Sequence, residues 1–334
     1  MRVALVLTVK NEERLLRQNL LYHRALGAEH IFVYFDGTTD GGKAAISDLD
    51  FVTLQDSVSP EKYEHLTYLE KFTSQADEHH TARQCLNTFD AQQECKAMGI
   101  SWLVSLDADE LVCPNTTEII GLPQFFDTIP PQVEIVYLQT REFLQHKISI
   151  HNVFSEGTLF KTTPTYRSRF KNITKQLDNP FTGQQQKFPY WYGQTMGKGA
   201  IRIGKDVIPH NVHRYKKVDG LQVTSVKAGL VLHYHAYDAA DFIKKFTNFS
   251  EHPDTFLSGN SVESIKLLLR DVVNKSGKTE TELKTYFENN LMFSRTEVTA
   301  LLKNKYLWLL SRDPAPLEEI TSVQQVFQQK IKAH

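Results

Sequence analysis

The sequence predicts an α/β fold, a Rossmann-like and mostly parallel sheet with flanking helices, followed by a C-terminal helical appendage. Three observations carry this expectation. Apolar, β-branched runs at 2–9 and 30–36 bracket a stretch with helical spacing, so strand, helix and strand follow one another in one short unit. Polar clusters rich in carboxylates follow three of the apolar runs directly. Beyond residue 245 strand-type runs give way to helical faces and capping signals. We therefore expect a sheet-bearing domain over 1–245 and a helical region over 246–334.

Taken in order, RVALVLTV (2–9) reads as a strand buried on both faces, and it ends in Lys10-Asn11-Glu12. Leu15, Leu16, Leu20, Leu21 and Leu26 then recur at helical spacing, and Gly27 stops the helix. HIFVYFD (30–36) is a second strand that runs into the turn-rich DGTTDGG. FVTLQD (51–56) is a third strand, and a helix over 81–98, closed by Gly99, feeds a strand at 100–106. VEIVYLQTREF (133–143) is a further strand. Residues 151–220, rich in Gly, Pro and aromatics, read as loops and short strands over one face of the sheet. LVLHYHAY (230–237) returns to strand character. Downstream, residues 261–274 carry a helical apolar face, and Thr279 to Glu282 and Ser294 to Glu297 have capping-box spacing. Pro316 with Glu318 and Glu319 reads as the start of a last helix.

The chain has 334 residues, 41% apolar and 23% charged, with a formal net charge of −1. That balance excludes broad electrostatic capture of nucleic acid. The three cysteines form no CxxC pair, and the first apolar run covers only Val3 to Val9. Both features point to a reducing, cytoplasmic setting.

The strand-end clusters are where chemistry is expected, because ligands of open α/β sheets bind beyond the carboxyl ends of the strands. In SLDADELV (105–112), Asp107 and Asp109 flank one residue, which places their backbones about 7 Å apart on one side of an extended chain. Two carboxylates so placed suit a divalent cation, or one takes the metal and the other a ligand hydroxyl. Such DxD spacing is common in turns; its position after a buried strand gives it weight. Asp36 ends the second strand where a carboxylate can meet a ribose hydroxyl or the N–H of a base. His233 and His235 share a face and supply neutral imidazoles to Mn²⁺ or a similar ion. Tyr190, Trp191 and Tyr192 offer a platform for a sugar ring.

Together, VALVLTVKNEERLLRQNLLYHRALGAEHIFVYFDGTTDGG, RQCLNTFDAQQECKAMGISWLVSLDADELV, GKGAIRIGKDVIPHNVHRY and LVLHYHAY resemble glycosyltransferases of families 2 and 92, in the expected order over roughly 2–245. The resemblance implies a GT-A fold, a nucleotide-sugar donor (UDP-sugars by default), a glycan or other hydroxyl acceptor, inversion, and Mn²⁺ or Mg²⁺ as cofactor. It implies that Thr8, Lys10, Asn11, Glu12, Asp36, Arg83, Asp107 and Lys198 line the donor site. It also implies that Asp107, Asp109 and His235 or His233 hold the metal. The general base is left open among Glu142, Glu156 and Asp178. The helices beyond 245 match no known pattern and are left as a surface for a partner, an acceptor or a membrane face. Two rivals are a haloacid-dehalogenase-like phosphohydrolase using Asp107 and a non-catalytic glycan- or partner-binding scaffold. The first is disfavoured by Leu111, four residues after Asp107, where those enzymes carry Thr or Val.

Overall fold

The computed structural model describes residues 1–162, 196–250, 252–262, 264–303 and 317–331. Asp178, Tyr190, Trp191 and Tyr192 lie outside the described residues. The elements follow the expected alternation. Strand β1 (Val3–Val9), helix α1 (Glu13–Ala25), β2 (His30–Phe35) and β3 (Val52–Asp56) are followed by α2 (Glu70–Thr73) and α3 (His80–Met98). Then come β4 (Trp102–Leu106), β5 (Glu110–Cys113), α4 (Leu122–Asp127), β6 (Ile135–Phe143), α5 (Val153–Glu156) and β7 (Leu159–Lys161). After the undescribed segment come β8 (Lys198–Arg202), β9 (Val207–Asn211), β10 (Arg214–Lys217), β11 (Ser225–His233) and α6 (Ala239–Asn248). Helices α7 (Ser264–Asn274), α8 (Glu280–Asn290) and α9 (Arg295–Leu302) form the helical region. Strand β12 (Leu317–Glu319) and α10 (Ser322–Gln329) complete the described chain.

Strands β3, β2, β1 and β4 are parallel neighbours, and β8 inserts antiparallel between β4 and β6. Strand β11 pairs parallel with β6 and antiparallel with β5, which curls the sheet at that side. All seven β1 side chains are buried. Val3, Leu5 and Leu7 enter the core on one face, and Ala4 and Val6 enter the core on the other. This explains why the run reads as continuously apolar: a strand covered on both sides has no polar alternation.

Two readings need correction. The segment 198–202, expected among loops and short strands over one face of the sheet, is instead a strand inside the sheet itself, buried along Lys198 to Ile201. It escapes a periodicity reading because it is short and opens Lys-Gly. The last helix does not start at Pro316, which is itself undescribed: Leu317–Glu319 pair with β7, and the helix begins at Ser322. Glu318 is held there by the Arg141 guanidinium, 2.8 Å away. Val323, Val326 and Phe327 of α10 enter the main core, so this last stretch returns to the sheet. Both capping boxes form. Among the described residues, no helix is long and apolar enough to cross a membrane.

Gly197 leads the chain into β8 with φ of +69°, and a Cβ there would lie 2.2 Å from the Leu138 carbonyl oxygen. Gly197→Ala is expected to destabilise the fold by about 1–3 kcal/mol, from left-handed strain and from contact with backbone that cannot step aside. Urea unfolding of the variant beside the parent measures this.

Candidate active site

Helix α3 fixes three neighbouring strand ends at once. The Arg83 guanidinium donates two bonds to Asp36 after β2, at 2.6 and 3.0 Å. The Gln84 amide donates to Asp107 after β4 at 2.6 Å, and the Asn87 amide donates to the Thr8 hydroxyl of β1 at 3.0 Å. One helical face thus aligns the clusters after β1, β2 and β4 along one sheet edge. Asn11 adopts φ of +56°, a conformation Asn tolerates, and its side-chain oxygen accepts from the Thr39 N–H at 2.8 Å. This ties the loop after β1 to the loop after β2.

The acidic segment is a tight turn between β4 and β5 rather than a simple strand end. Buried polar groups of α1 hold it. The Asn19 amide donates to the carbonyls of Ala108 and Glu110, and the Tyr22 hydroxyl donates to that of Val112. The ring of His23 accepts from the Val112 N–H at its Nε2, so its proton sits on Nδ1, beside the Asn19 carbonyl. Burial lowers the His23 pKa to about 3, which keeps the ring neutral.

The turn presents its carboxylates differently. Asp107 is partly exposed and pairs with the Lys198 ammonium at 2.8 Å. Glu110, buried, accepts from the Asp107 N–H at 2.9 Å and lies 3.4 Å from the same ammonium. Burial pushes the Glu110 carboxyl up to about 7 against the pull of Lys198. Asp109 points the other way, towards the end of β11. Its Oδ2 lies 3.2 Å from Nε2 of His233 and 2.5 Å from the Lys245 ammonium. Burial alone would raise the Asp109 carboxyl, but Lys245 and His233 overcome it and hold it well below the usual carboxylate range.

Asp109, His233 and His235 bring three ligand atoms within 4.8 Å of one another. His233 ends β11, and His235 lies just past it, ahead of Ala236 at φ +46°. The two rings are 5.3 Å apart. Burial, with Lys245 and His233 alongside, lowers the His235 pKa well below its ordinary value, so that ring is neutral and fit to ligate. Burial also works against charge on His233, but Asp109 and Glu142 raise it to about 10; a metal and that proton are alternatives at this ring. Two imidazoles and one carboxylate suit a first-row divalent ion such as Mn²⁺ better than a purely oxygen-seeking one. Asp107 is not in this trio.

The base candidates separate. Glu142 is buried at the end of β6, with Oε1 2.6 Å from the Lys161 ammonium and Oε2 3.8 Å from Nδ1 of His233. Glu156 ends α5, where it accepts from the Asn152 N–H and lies 3.6 Å from Lys147, the contacts of a helix-end residue. Glu12 pairs with Lys244 at 2.6 Å, and Lys10 offers its carbonyl to Asn248. Lys245, Lys161 and Gln84 carry no signal in the sequence: each is an ordinary residue whose significance lies only in a partner distant along the chain.

Asp36 also receives the His80 ring and the Ser57 hydroxyl, the latter at 3.1 Å. Burial by itself would raise its carboxyl, yet His80 and Arg83 leave it well below the usual value. A carboxylate ionised more readily in the folded than in the unfolded state contributes stability above about pH 4, and that stability is lost as the pH falls through the lower folded value. Asp36→Asn is therefore expected to be less stable than the parent at pH 6, with a gap that narrows at pH 3. Urea unfolding at the two pH values checks this.

The model of glycosyltransferase family 92 matches residues 7–265. Glycosyltransferase-like At2g41451 of Arabidopsis thaliana is 23% identical over 232 residues, covering 64% of this chain and 49% of its own length. Glycosyltransferase-like At3g57200 of the same plant is 27% identical over 161 residues, covering 46% of this chain and 29% of its own. The chain thus spans about half or less of these relatives. Among solved structures, mannosyltransferase PcManGT from Pyrobaculum calidifontis, in complex with GDP-Man and Mn²⁺, is similar at a TM-score of 0.34 and 11% identity, covering 85% of this chain and 73% of that one. TarS 1-349 of S. aureus is similar at 0.33 and 11%, covering 85% and 78%. Likeness at that level bears on neither substrate nor mechanism. The family match, by contrast, takes in every strand end described above and the helix that follows β11: the chain belongs to glycosyltransferase family 92.

Proposed function

We propose that the protein is a metal-dependent glycosyltransferase of GT-A type that moves a sugar from a nucleotide-sugar donor, a UDP-sugar by default, to a hydroxyl of a glycan or other acceptor with inversion. The observation that carries this reading is the meeting of Asp109, His233 and His235 at the sheet edge that also holds Asp36, Asp107 and Lys198. Membership of a glycosyltransferase family favours this reading over the phosphohydrolase and non-catalytic alternatives.

In this reading the loops after β1 and β2 bind the nucleoside, with Asp36 oriented by Arg83 and His80 to accept from it. Asp107, steadied by Lys198 and Gln84, stands beside the ribose and phosphates. Asp109, His233 and His235 would hold the divalent ion, which when bound would supply positive charge to the diphosphate. Lys198, buried next to Asp107, presents a second positive charge on the same side. A carboxylate takes the acceptor's proton as its oxygen attacks the anomeric carbon. Glu142, tied to Lys161, is poorly suited to that task.

Transfer and donor hydrolysis across a panel of UDP- and GDP-sugars, with Mn²⁺ or with chelator, tests the reading. Turnover of one donor that chelator suppresses is the expected result; turnover indifferent to metal would remove the ion from the mechanism. Thermal shifts with UDP or GDP plus Mn²⁺ give an independent readout of coupled binding.

A further inference from the structure

Helix α6 lies against the strand-end cluster with two different faces. Phe242 and Phe246 pack with Leu269, Phe287 and Leu291 of the helical region. On the other side Lys244 reaches Glu12 at 2.6 Å and Asp241 at 2.9 Å, while Lys245 reaches Asp109. One turn on, Asn248 donates to the Lys10 carbonyl and accepts from the Asn11 amide, both at 3.2 Å. The start of the helix is anchored independently: Asp238 caps the Asp241 N–H and pairs with Arg14 at 2.9 Å. The lysine pair is therefore not a solvated face but a set of cations delivered to two strand ends.

Of these contacts, that of Lys245 is the consequential one. Its ammonium sits 2.5 Å from Oδ2 of Asp109, the same oxygen that lies 3.2 Å from Nε2 of His233. Oδ2 is thus the Asp109 oxygen turned towards the His233 ring, and the Lys245 cation already pairs with it. The Lys245 side chain is 19% exposed, so it has a route outwards, whereas Asp109 at 4% cannot reach water for compensation. A buried carboxylate needs a positive partner at all times. Lysine suits exchange here, being a flexible point charge rather than a rigid fork.

We propose that Lys245 is an internal counter-cation that holds Asp109 in the metal-free protein and competes with the divalent ion for it, so that metal binding requires the ammonium to swing away. The displaced group then adds positive charge beside the incoming diphosphate. This rests on the metal-site reading of Asp109, His233 and His235 given above. It makes Lys245 a positioning residue that sets how weakly the protein takes metal before donor arrives.

The test is Mn²⁺ binding to the full chain without nucleotide, followed by calorimetry or the loss of the free-ion resonance signal. Lys245→Met keeps the stem and removes the charge; it is expected to bind Mn²⁺ at least tenfold more tightly than the parent. Lys245→Arg, which keeps the charge, should bind no more tightly than the parent. Lys244→Met, which unpairs Glu12 and leaves the Asp109 contact in place, should change affinity by less than about threefold. Lys245→Gln repeats the first arm if the methionine variant folds poorly, with circular dichroism confirming the fold. Affinity unchanged or weakened in both neutral variants, with Mn²⁺ still bound in an Asp109-dependent way, overturns the competition and leaves the metal site standing. Absence of Mn²⁺ binding in the parent and both variants overturns the two together.

Discussion

Asp109→Asn is expected to lower kcat/KM for sugar transfer by about 10³-fold, the upper end of what losing one preorganised charge-stabilising group costs an enzyme. The change is nearly isosteric, so the effect isolates charge. Asn keeps an oxygen for His233 but offers the ion no negative charge. It also leaves Lys245 and His233 facing each other across an uncharged amide, where the carboxylate now lies between them at 2.5 and 3.2 Å. The variant should therefore melt below the parent as well as turn over more slowly. Asp107→Asn is the informative companion. Its Lys198 partner keeps Glu110 at 3.4 Å, so the loss of stability should be smaller and the defect should fall on donor binding. Initial rates with saturating Mn²⁺, together with melting curves, separate the two positions. An Asp109→Asn protein as active as the parent would remove this carboxylate from the chemistry.

What the sequence revealed and what it hid follow one physical division. Strands β1, β2 and β4 are buried on both faces, so their apolar runs are continuous and legible, and the polar residues just after them mark the functional edge. Short strands carry no such signal. Strand β5 covers four residues and begins with Glu110, so DADELV reads as one strand end when it is a turn and a return. Strand β8 hides behind Lys198 and Gly199 for the same reason. The polar side chains that build the site were visible only as types. Asn19 and His23 sit one helical turn apart on the buried face of α1, a pattern that breaks amphipathic regularity and was there to be noticed. Lys245 had no comparable mark, because adjacent lysines on a helix ordinarily face water. Only the fold shows that this helix meets the strand ends with that side. Glu142 stood beside Glu156 and Asp178 as a base candidate with nothing in the spacing to separate them, and its tie to Lys161 could not be read from the sequence.

Glu142→Gln distinguishes the two roles open to that carboxylate, and the surroundings favour support of His233 over proton transfer. Burial would by itself raise the Glu142 carboxyl, but Lys161 and His233 hold it well below the ordinary range, which makes it a poor proton acceptor. Its Oε2 stands 3.8 Å from Nδ1 of His233, the ring atom opposite the one that faces Asp109. At that distance, too long for a hydrogen bond, the carboxylate acts on the imidazole through its charge, which favours a cation on the far ring atom. Removing its charge should weaken Mn²⁺ binding by about 10-fold, the low end of what outer partners command. It should also destabilise the protein, since the Lys161 ammonium, 2% exposed, loses the carboxylate 2.6 Å away while keeping the Gln145 side-chain oxygen at 3.3 Å. Raising the Mn²⁺ concentration should then restore most of kcat, because the ligands themselves are intact. A general base behaves oppositely: its loss leaves metal affinity alone and depresses kcat at any Mn²⁺ concentration. Lys161→Met in the Glu142→Gln background should recover part of the stability, as it removes a buried charge that then faces neutral amide oxygens, the introduced one and that of Gln145, without recovering the lost metal affinity. A kcat that stays low at saturating Mn²⁺, with unaltered affinity, would return Glu142 to the role of base.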